Sequence, residues 1–400
     1  MKYIVILCDG MADEPLEELG GRTPLEAAET GNMDRLAADS EIGMVRTVPV
    51  GMAPGSDTAN LSVIGYDPRK YYSGRSPLEA LSIGAEMGEK DVSFRCNLVT
   101  LSEEEDKYED RVILDHSSGE IPTEEAAVLV EALRKGLERE GYTFYAGTSY
   151  RHLLIQKDGK VTELTPPHDI LTKRIGEYLP GDPVLREMMV KSYDILKDHP
   201  VNVQRRAEGK NPANSAWFWG AGTRPALTSF EEKTGVKGAM ISAVDLLKGI
   251  AAGSGMHNII VDGANGGLHT NYSGKAQAAV KALTEDGYDF VYVHIEAPDE
   301  MGHQGSVKDK IKAIEYIDDQ VIGPVAEKLR QSGVDFRMLI LPDHPTPVRV
   351  RTHTSDPVPY LLYDSTEVQE GCSTYCEKTG RESGKMLEEG YRLIDHLLQN

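Results

Sequence analysis

The chain has 400 residues, long for a single core and in the range where two domains are expected. Hydrophobic residues make up 40% and charged residues 27%, the balance of a soluble globular protein, and no apolar run reaches the length of a membrane span. With 43 basic against 64 acidic residues the net charge is −21, which excludes a general nucleic-acid binder but leaves a small anionic substrate open, because metals or a few local cations reverse the sign inside a cleft.

In chain order, the first predicted element is a strand at Tyr3–Cys8. The opening MKYIVILCDG carries one Lys and a short apolar run closed by Asp9-Gly10, so it reads as a buried strand rather than a secretory signal, and the expected location is the cytoplasm. Further on, Pro54 and Gly55 make a turn, and Ser56 stands where a helix would begin. Two readings stay open there. Ser56 is a helix N-cap, or it is a nucleophile at a helix N-terminus, whose amide N–H groups and dipole favour a phosphate.

From about residue 90 to 240 the texture changes. DVSFRCNLVTL, an acidic segment Glu103–Asp110, a predicted helix Thr123–Glu140 and hairpin-like pieces around Gly147–Lys157 suggest an α+β module inserted into the first domain. The expected junctions are Gly84–Asp91 and Thr234–Met240. This assigns residues 1–88 and 241–400 to one discontinuous domain and 89–240 to the insertion.

Beyond the insertion, strands are predicted at Asn258–Val261, Phe290–Ile295, Met338–Leu341 and Pro359–Tyr363, apolar on both faces as central parallel strands are. Helices fit at Ala276–Thr284, Lys308–Gln331 and Lys385–Leu398, with Gly323-Pro324 as a kink or break and Gly333 as a stop. This is the alternation of an α/β, doubly wound, mostly parallel sheet. The segment Gly267–Ala276 looks like a phosphate-binding loop but has the wrong glycine spacing and Ala after Lys275, so nucleotide binding through it is not expected. Cys8 and Cys96 lie in apolar runs and are expected to be reduced core residues. Cys372 and Cys376, spaced C-x3-C with no second pair, read as a loop or helix start rather than a zinc site.

In open α/β sheets ligands bind beyond the carboxyl ends of the strands. Tyr3–Cys8 is followed by Asp9, Phe290–Ile295 by Asp299 with His303 four residues later, and Met338–Leu341 by Asp343-His344, with His353 further along. Such a set suits two divalent metals: carboxylates supply charge, neutral imidazoles supply nitrogen, and mixed Asp and His donors favour Mn²⁺ or Zn²⁺ over Mg²⁺ or Ca²⁺. A metal on the Ser56 hydroxyl would make its alkoxide available near neutral pH. Each residue alone also has an ordinary reading, since an Asp after a strand is often a turn former or a cap. The dipeptide recurs at Asp115-His116, Asp198-His199 and Asp395-His396, which serve as controls. The set stands out only because its members collect at one edge of one predicted sheet.

These residues fall within CDGMAD, PGSDTANLSVIGYDP, YYSGRSPLEA, FRCNLVT, PANSAWFWGAG, GAMISAVDLLKGI, EAPDEMGHQG, LPDH and THTSDPVP. Together, and nearly end to end, they resemble the archaeal-type cofactor-independent (2,3-bisphosphoglycerate-independent) phosphoglycerate mutases. The resemblance implies an alkaline-phosphatase-like domain carrying an inserted substrate-binding domain, with no need for 2,3-bisphosphoglycerate. It implies that Asp299, His303 and His353 hold one metal and that Asp9, Ser56, Asp343 and His344 hold the other. Ser56 would take the phosphoryl group from 3-phosphoglycerate as a phosphoserine, and the glycerate 2-hydroxyl would take it back. Arg95, Arg151 and Lys248 are candidates for holding the substrate's anionic groups, or else are surface or salt-bridge residues. Asp115–Glu120 departs from the pattern by lacking Arg and Lys, which keeps a homoserine-directed phosphotransferase, or a metal-dependent phosphatase, as alternatives on the same core. The partner expected is a small phosphorylated metabolite; the sequence leaves the oligomeric state undetermined.

Overall fold

A computed structural model describes residues 1–399. The chain divides into two compact units, one built from Met1–Tyr72 together with the chain from Leu227 onward, the other from Ser73–Ala226. Both junctions lie earlier in the chain than 89 and 240. The helix Arg75–Ser82 belongs to the insertion, where Ser76 Oγ donates to Ser93 O at 3.0 Å. Gly238–Ile241 belongs to the first unit, as a strand paired in parallel with Phe290–Val293.

The first unit is organised on an eight-stranded sheet with the strand order Met386–Leu387, Glu41–Val45, Val358–Asp364, Phe336–Leu341, Lys2–Cys8, Phe290–Ile295, Gly238–Ile241, His257–Asn258. Every pairing is parallel except the two made by Val358–Asp364. The sheet is thus doubly wound in character and mostly parallel, as expected. Ile4–Cys8, Phe290–Val293 and Met338–Leu341 are fully buried, which is why these runs are apolar on both faces.

Several elements differ from the sequence reading. Pro359–Tyr363 lies in a strand that runs antiparallel to its neighbours, and an apolar run carries no mark of direction. The strand expected at Asn258–Val261 is only His257–Asn258: its ladder with Gly238–Ile241 ends after Ile259 N donates to Met240 O, and Ile260 turns out to solvent. The helix expected at Lys385–Leu398 is a strand Met386–Leu387 laid parallel on Met44–Val45, and then a short helix Leu393–Leu398. Gly390, packed on the Arg46 and Thr47 backbone, separates the two. The long helix over Lys308–Gln331 is Val307–Ile317, a π-helical turn Asp318–Ile322 and Gly323–Ser332, ending at Gly333 in the left-handed region. Pro324 has no N–H to give, and the widened turn absorbs the loss. At that turn the Asp318 carboxylate accepts the amides of Asn32 (3.0 Å) and Met33 (2.7 Å), capping the helix Gly31–Ala37 from another element.

The second unit has its own core and a five-stranded antiparallel sheet. Val92–Leu101, buried at every position, is its centre, between Arg151–Gln156 and Ser215–Thr223. The helices Thr123–Leu137 and Pro183–Leu196 contribute Leu129, Leu133, Met188 and Leu196 to the same core.

Candidate active site

Phe336–Leu341, Lys2–Cys8 and Phe290–Ile295 are adjacent parallel strands in near-level register: Leu7 lies opposite Leu341, and Cys8 opposite Ile295. Their carboxyl ends therefore release the chain at one edge, bringing Asp9, Glu296 and Asp343 together. Past Glu296 the helix Ala297–Gln304 carries Asp299 and His303 at i and i+4, one above the other on one face. The loop after Asp343-His344 returns His353 to the same place, where its ring stacks on His344 with centroids 3.9 Å apart.

Ser56 is the first residue of the helix Ser56–Val63, with Gly55 in the capping position, so its hydroxyl is not spent on a cap. Instead Ser56 Oγ lies 3.1 Å from His344 Nε2. That nitrogen is 3.2 Å from Asp343 Oδ2 and 3.7 Å from Asp9 Oδ1. On the other side, Asp299 Oδ2 is 3.2 Å from His303 Nε2, Asp299 Oδ1 is 3.3 Å from His353 Nε2, and the two Nε2 atoms are 3.0 Å apart. Asp9, Asp299, Asp343 and His344 are buried, while His303 and His353 are partly open to solvent.

The electrostatics are those of a crowded acid site. Burial, and then the carboxylates of Asp343, Asp299 and Glu296, push the Asp9 carboxyl well above its ordinary range. Burial works upward on Asp299 too, but hydrogen bonds from His303 and His353 outweigh it and hold that carboxyl well below its usual value. The hydrogen bond to Asp299 raises His303 to about 9, whereas burial lowers His344. Asp9 Oδ1 is buried with no hydrogen-bond partner among the described residues. A buried carboxylate oxygen left bare is costly unless a cation meets it. Two donor groups could each hold one, Asp299 with His344 and His353, and Asp9 with Asp343 and His344, the ligand atoms of each group lying within 4.8 Å of one another. The residues present fit two divalent metals of mixed oxygen and nitrogen preference.

A further ring of side chains orients these donors. His294 Nε2 lies 2.8 Å from Asp9 Oδ2, and its Nδ1 is 3.2 Å from Ser242 Oγ. Asn60, fully buried, donates to Asp343 Oδ2 (2.9 Å) and to the Ser56 carbonyl (2.8 Å) and accepts the Tyr292 hydroxyl (2.6 Å). Arg351 O lies 3.0 Å from His303 Nδ1. Sequence reasoning missed His294, Asn60 and Tyr292. The available signal was a histidine in an otherwise apolar, fully buried strand, which demands a polar partner.

The candidate substrate cations belong to both units. Arg95 and Arg151 lie in the second unit. The nearly buried Arg95 donates from Nε to Glu79 Oε2 at 3.0 Å and sits 4.3 Å over the Trp219 ring, while the exposed Arg151 lies over Tyr150. Lys248 is in the first unit, 3.2 Å from Asp245 Oδ1. Of the control dipeptides, Asp115 spends its carboxylate on Ser117 N, Ser117 Oγ, Gly119 N and Asn211, and His199 accepts Val201 N at a helix start. Lys275, from the loop-like glycine motif, is buried and donates to the His294 carbonyl at 2.8 Å. Cys8 and Cys96 are fully buried, and Cys376 opens the short helix Glu377–Glu382.

Known proteins bear the same likeness. The family profile described as 2,3-bisphosphoglycerate-independent phosphoglycerate mutase matches residues 37–202. A probable 2,3-bisphosphoglycerate-independent phosphoglycerate mutase from Geobacter sulfurreducens is 48% identical, and so is a 2,3-bisphosphoglycerate-independent phosphoglycerate mutase from Methanosarcina barkeri, each over 100% of both chains. Among solved structures, a protein from Pyrococcus horikoshii superposes with a TM-score of 0.83 at 32% identity, over 100% of this chain and 97% of that one. A cofactor-independent phosphoglycerate mutase from Thermoplasma acidophilum gives a TM-score of 0.67 at 28% identity, over 100% and 99%.

Proposed function

This chain belongs to the 2,3-bisphosphoglycerate-independent phosphoglycerate mutase family, and from that premise we propose that it interconverts 3-phosphoglycerate and 2-phosphoglycerate through a phosphoserine on Ser56. The observation that carries the reading is the approach of Ser56 Oγ to His344 Nε2, at 3.1 Å, within the paired acid and imidazole groups. Asp299, His303 and His353 would hold one divalent cation; Asp9, Ser56, Asp343 and His344 would hold the other, with Mn²⁺ or Zn²⁺ best suited to the donors. Bound there, such ions supply charge neutralisation for phosphoryl oxygens and a lowered pKa for the serine hydroxyl.

Ser56 Oγ gives up its hydroxyl proton and attacks the phosphorus of 3-phosphoglycerate. The bond from phosphorus to the substrate's O3 breaks, and the released alkoxide takes up a proton. The glycerate then presents its 2-hydroxyl, which gives up its proton and attacks the phosphoserine; the bond from phosphorus to Ser56 Oγ breaks, and Ser56 Oγ takes a proton back. Asn60 holds the Ser56 carbonyl and the Asp343 carboxylate in one frame, keeping the nucleophile's helix in register with the ligand loop. Water must stay out while the phosphoserine exists, or transfer becomes hydrolysis. Arg95, Arg151 and Lys248 are the proposed holders of the substrate's carboxylate and phosphate, and the cytoplasm is the proposed place of action.

Purified protein loaded with Mn²⁺ and given 3-phosphoglycerate tests this. Formation of 2-phosphoglycerate without release of inorganic phosphate is expected. Net phosphate release, or transfer seen only with homoserine and ATP, would replace the mutase reading by one of its relatives.

A further inference from the structure

Thr346 is fully buried at the point where the two donor groups meet, and a single atom of its side chain touches both. Thr346 Oγ1 donates to Asp299 Oδ1 and lies 3.3 Å from His344 Nδ1. A hydroxyl has one proton to give, and an ionised carboxylate can only accept. The proton therefore goes to Asp299, and the oxygen's lone pair takes the Nδ1–H of His344. This leaves Nε2 as the bare nitrogen of that ring, the atom that faces Ser56 Oγ, Asp343 Oδ2 and Asp9 Oδ1.

The rotor is held from every side. Its amide donates to Ala12 O at 3.2 Å. Its carbonyl accepts the buried Lys310 ammonium at 2.9 Å, and the same ammonium binds Ala12 O and Asp13 Oδ2. A Cβ on Gly10 would stand 2.6 Å from Thr346 Oγ1, and one on Gly302 would stand 2.4 Å from Thr346 O. The residue after Asp9 and the residue before His303 are thus both glycines pressed against this threonine.

We propose that Thr346 is the positioning residue that couples the two cation sites: its hydroxyl orients Asp299 of one group and fixes the tautomer of His344, which the two groups share, so that a metal pair forms at its working spacing only when that hydroxyl is present. The inference rests on reading the two groups as metal positions. It assigns Thr346 no contact with the substrate.

The test is titration of metal-freed protein with Mn²⁺, by calorimetry and by electron paramagnetic resonance, for wild type, Thr346→Ser and Thr346→Val. Wild type and the serine variant, which keep the hydroxyl, are expected to take up two Mn²⁺ per chain and to give the spectrum of a spin-coupled pair. The valine variant, of the same shape without the hydroxyl, is expected to bind at least one Mn²⁺ about 10–100-fold more weakly and to lose the coupled signal. Should the valine variant fail to fold, Thr346→Ala reads the same quantity. Valine binding two Mn²⁺ with wild-type affinity and coupling would overturn the proposal, as would serine binding as weakly as valine. Wild type binding no pair at all would bring down the two-metal reading, and this inference with it.

Discussion

Ser56 is the proposed nucleophile, and its surroundings allow binding to be separated from catalysis. Removing its hydroxyl leaves Asp9, Asp343 and His344 in place, so Ser56→Ala is expected to lower kcat by at least about 10⁴-fold while Mn²⁺ uptake persists; steady-state rates beside a metal count measure this. Turnover near wild type would rule out the covalent route. Asn60 is a second test at this scale. Asn60→Leu strips the Tyr292 hydroxyl and Asp343 Oδ2 of a fully buried partner. Two orphaned polar groups are expected to cost about 3 kcal/mol in a urea unfolding series. A loss below about 0.5 kcal/mol would mean that water or a neighbour replaces the amide.

Among the elements, the helix Ala297–Gln304 matters most, because it carries two of the proposed ligands one turn apart. Gly302 lets it lie against the loop after His344, with no room for a methyl group. Gly302→Ala is expected to keep the fold but push Asp299 and His303 out of place, and shifts near 1 Å at such sites cost about 10²-fold in rate. A fall in kcat with an unchanged far-ultraviolet circular dichroism spectrum is the expected result. The strands act by direction rather than by identity: only because Lys2–Cys8, Phe290–Ile295 and Phe336–Leu341 run the same way do their trailing aspartates share an edge. Val358–Asp364, reversed, carries its own carboxyl end away from that edge.

For the whole molecule, the two units have separate cores, and Asp9, Ser56, Asp299, His303, Asp343, His344 and His353 all belong to the first. Metal removal is therefore expected to abolish activity and to lower the unfolding temperature of the first unit alone, seen calorimetrically as one shifted and one unshifted transition. A ligand at a hundredfold excess over its Kd contributes about 2.7 kcal/mol per site, enough to resolve the shift. Full activity after exhaustive chelation, or equal shifts in both transitions, would count against the two-metal centre. The net charge of −21 works in the same direction, since an acidic chain that gathers Asp9, Asp299, Asp343 and Glu296 in one place gains most where cations bind.

The sequence by itself determined the α/β alternation, the insertion and the identity of the aspartates that end apolar runs, because these are local: periodicity, turn residues and the residue closing a strand are written within a dozen positions. It also marked Ser56 as a helix start, though not whether its hydroxyl would be consumed as a cap. The direction of Val358–Asp364, the pairing of Met386–Leu387 and the convergence of His294, Asn60 and Thr346 on the proposed ligand groups were decided only by tertiary structure. Strand direction and polar partnership depend on which distant segment arrives alongside. A buried histidine or threonine looks the same in sequence whether it meets a carboxylate or a carbonyl.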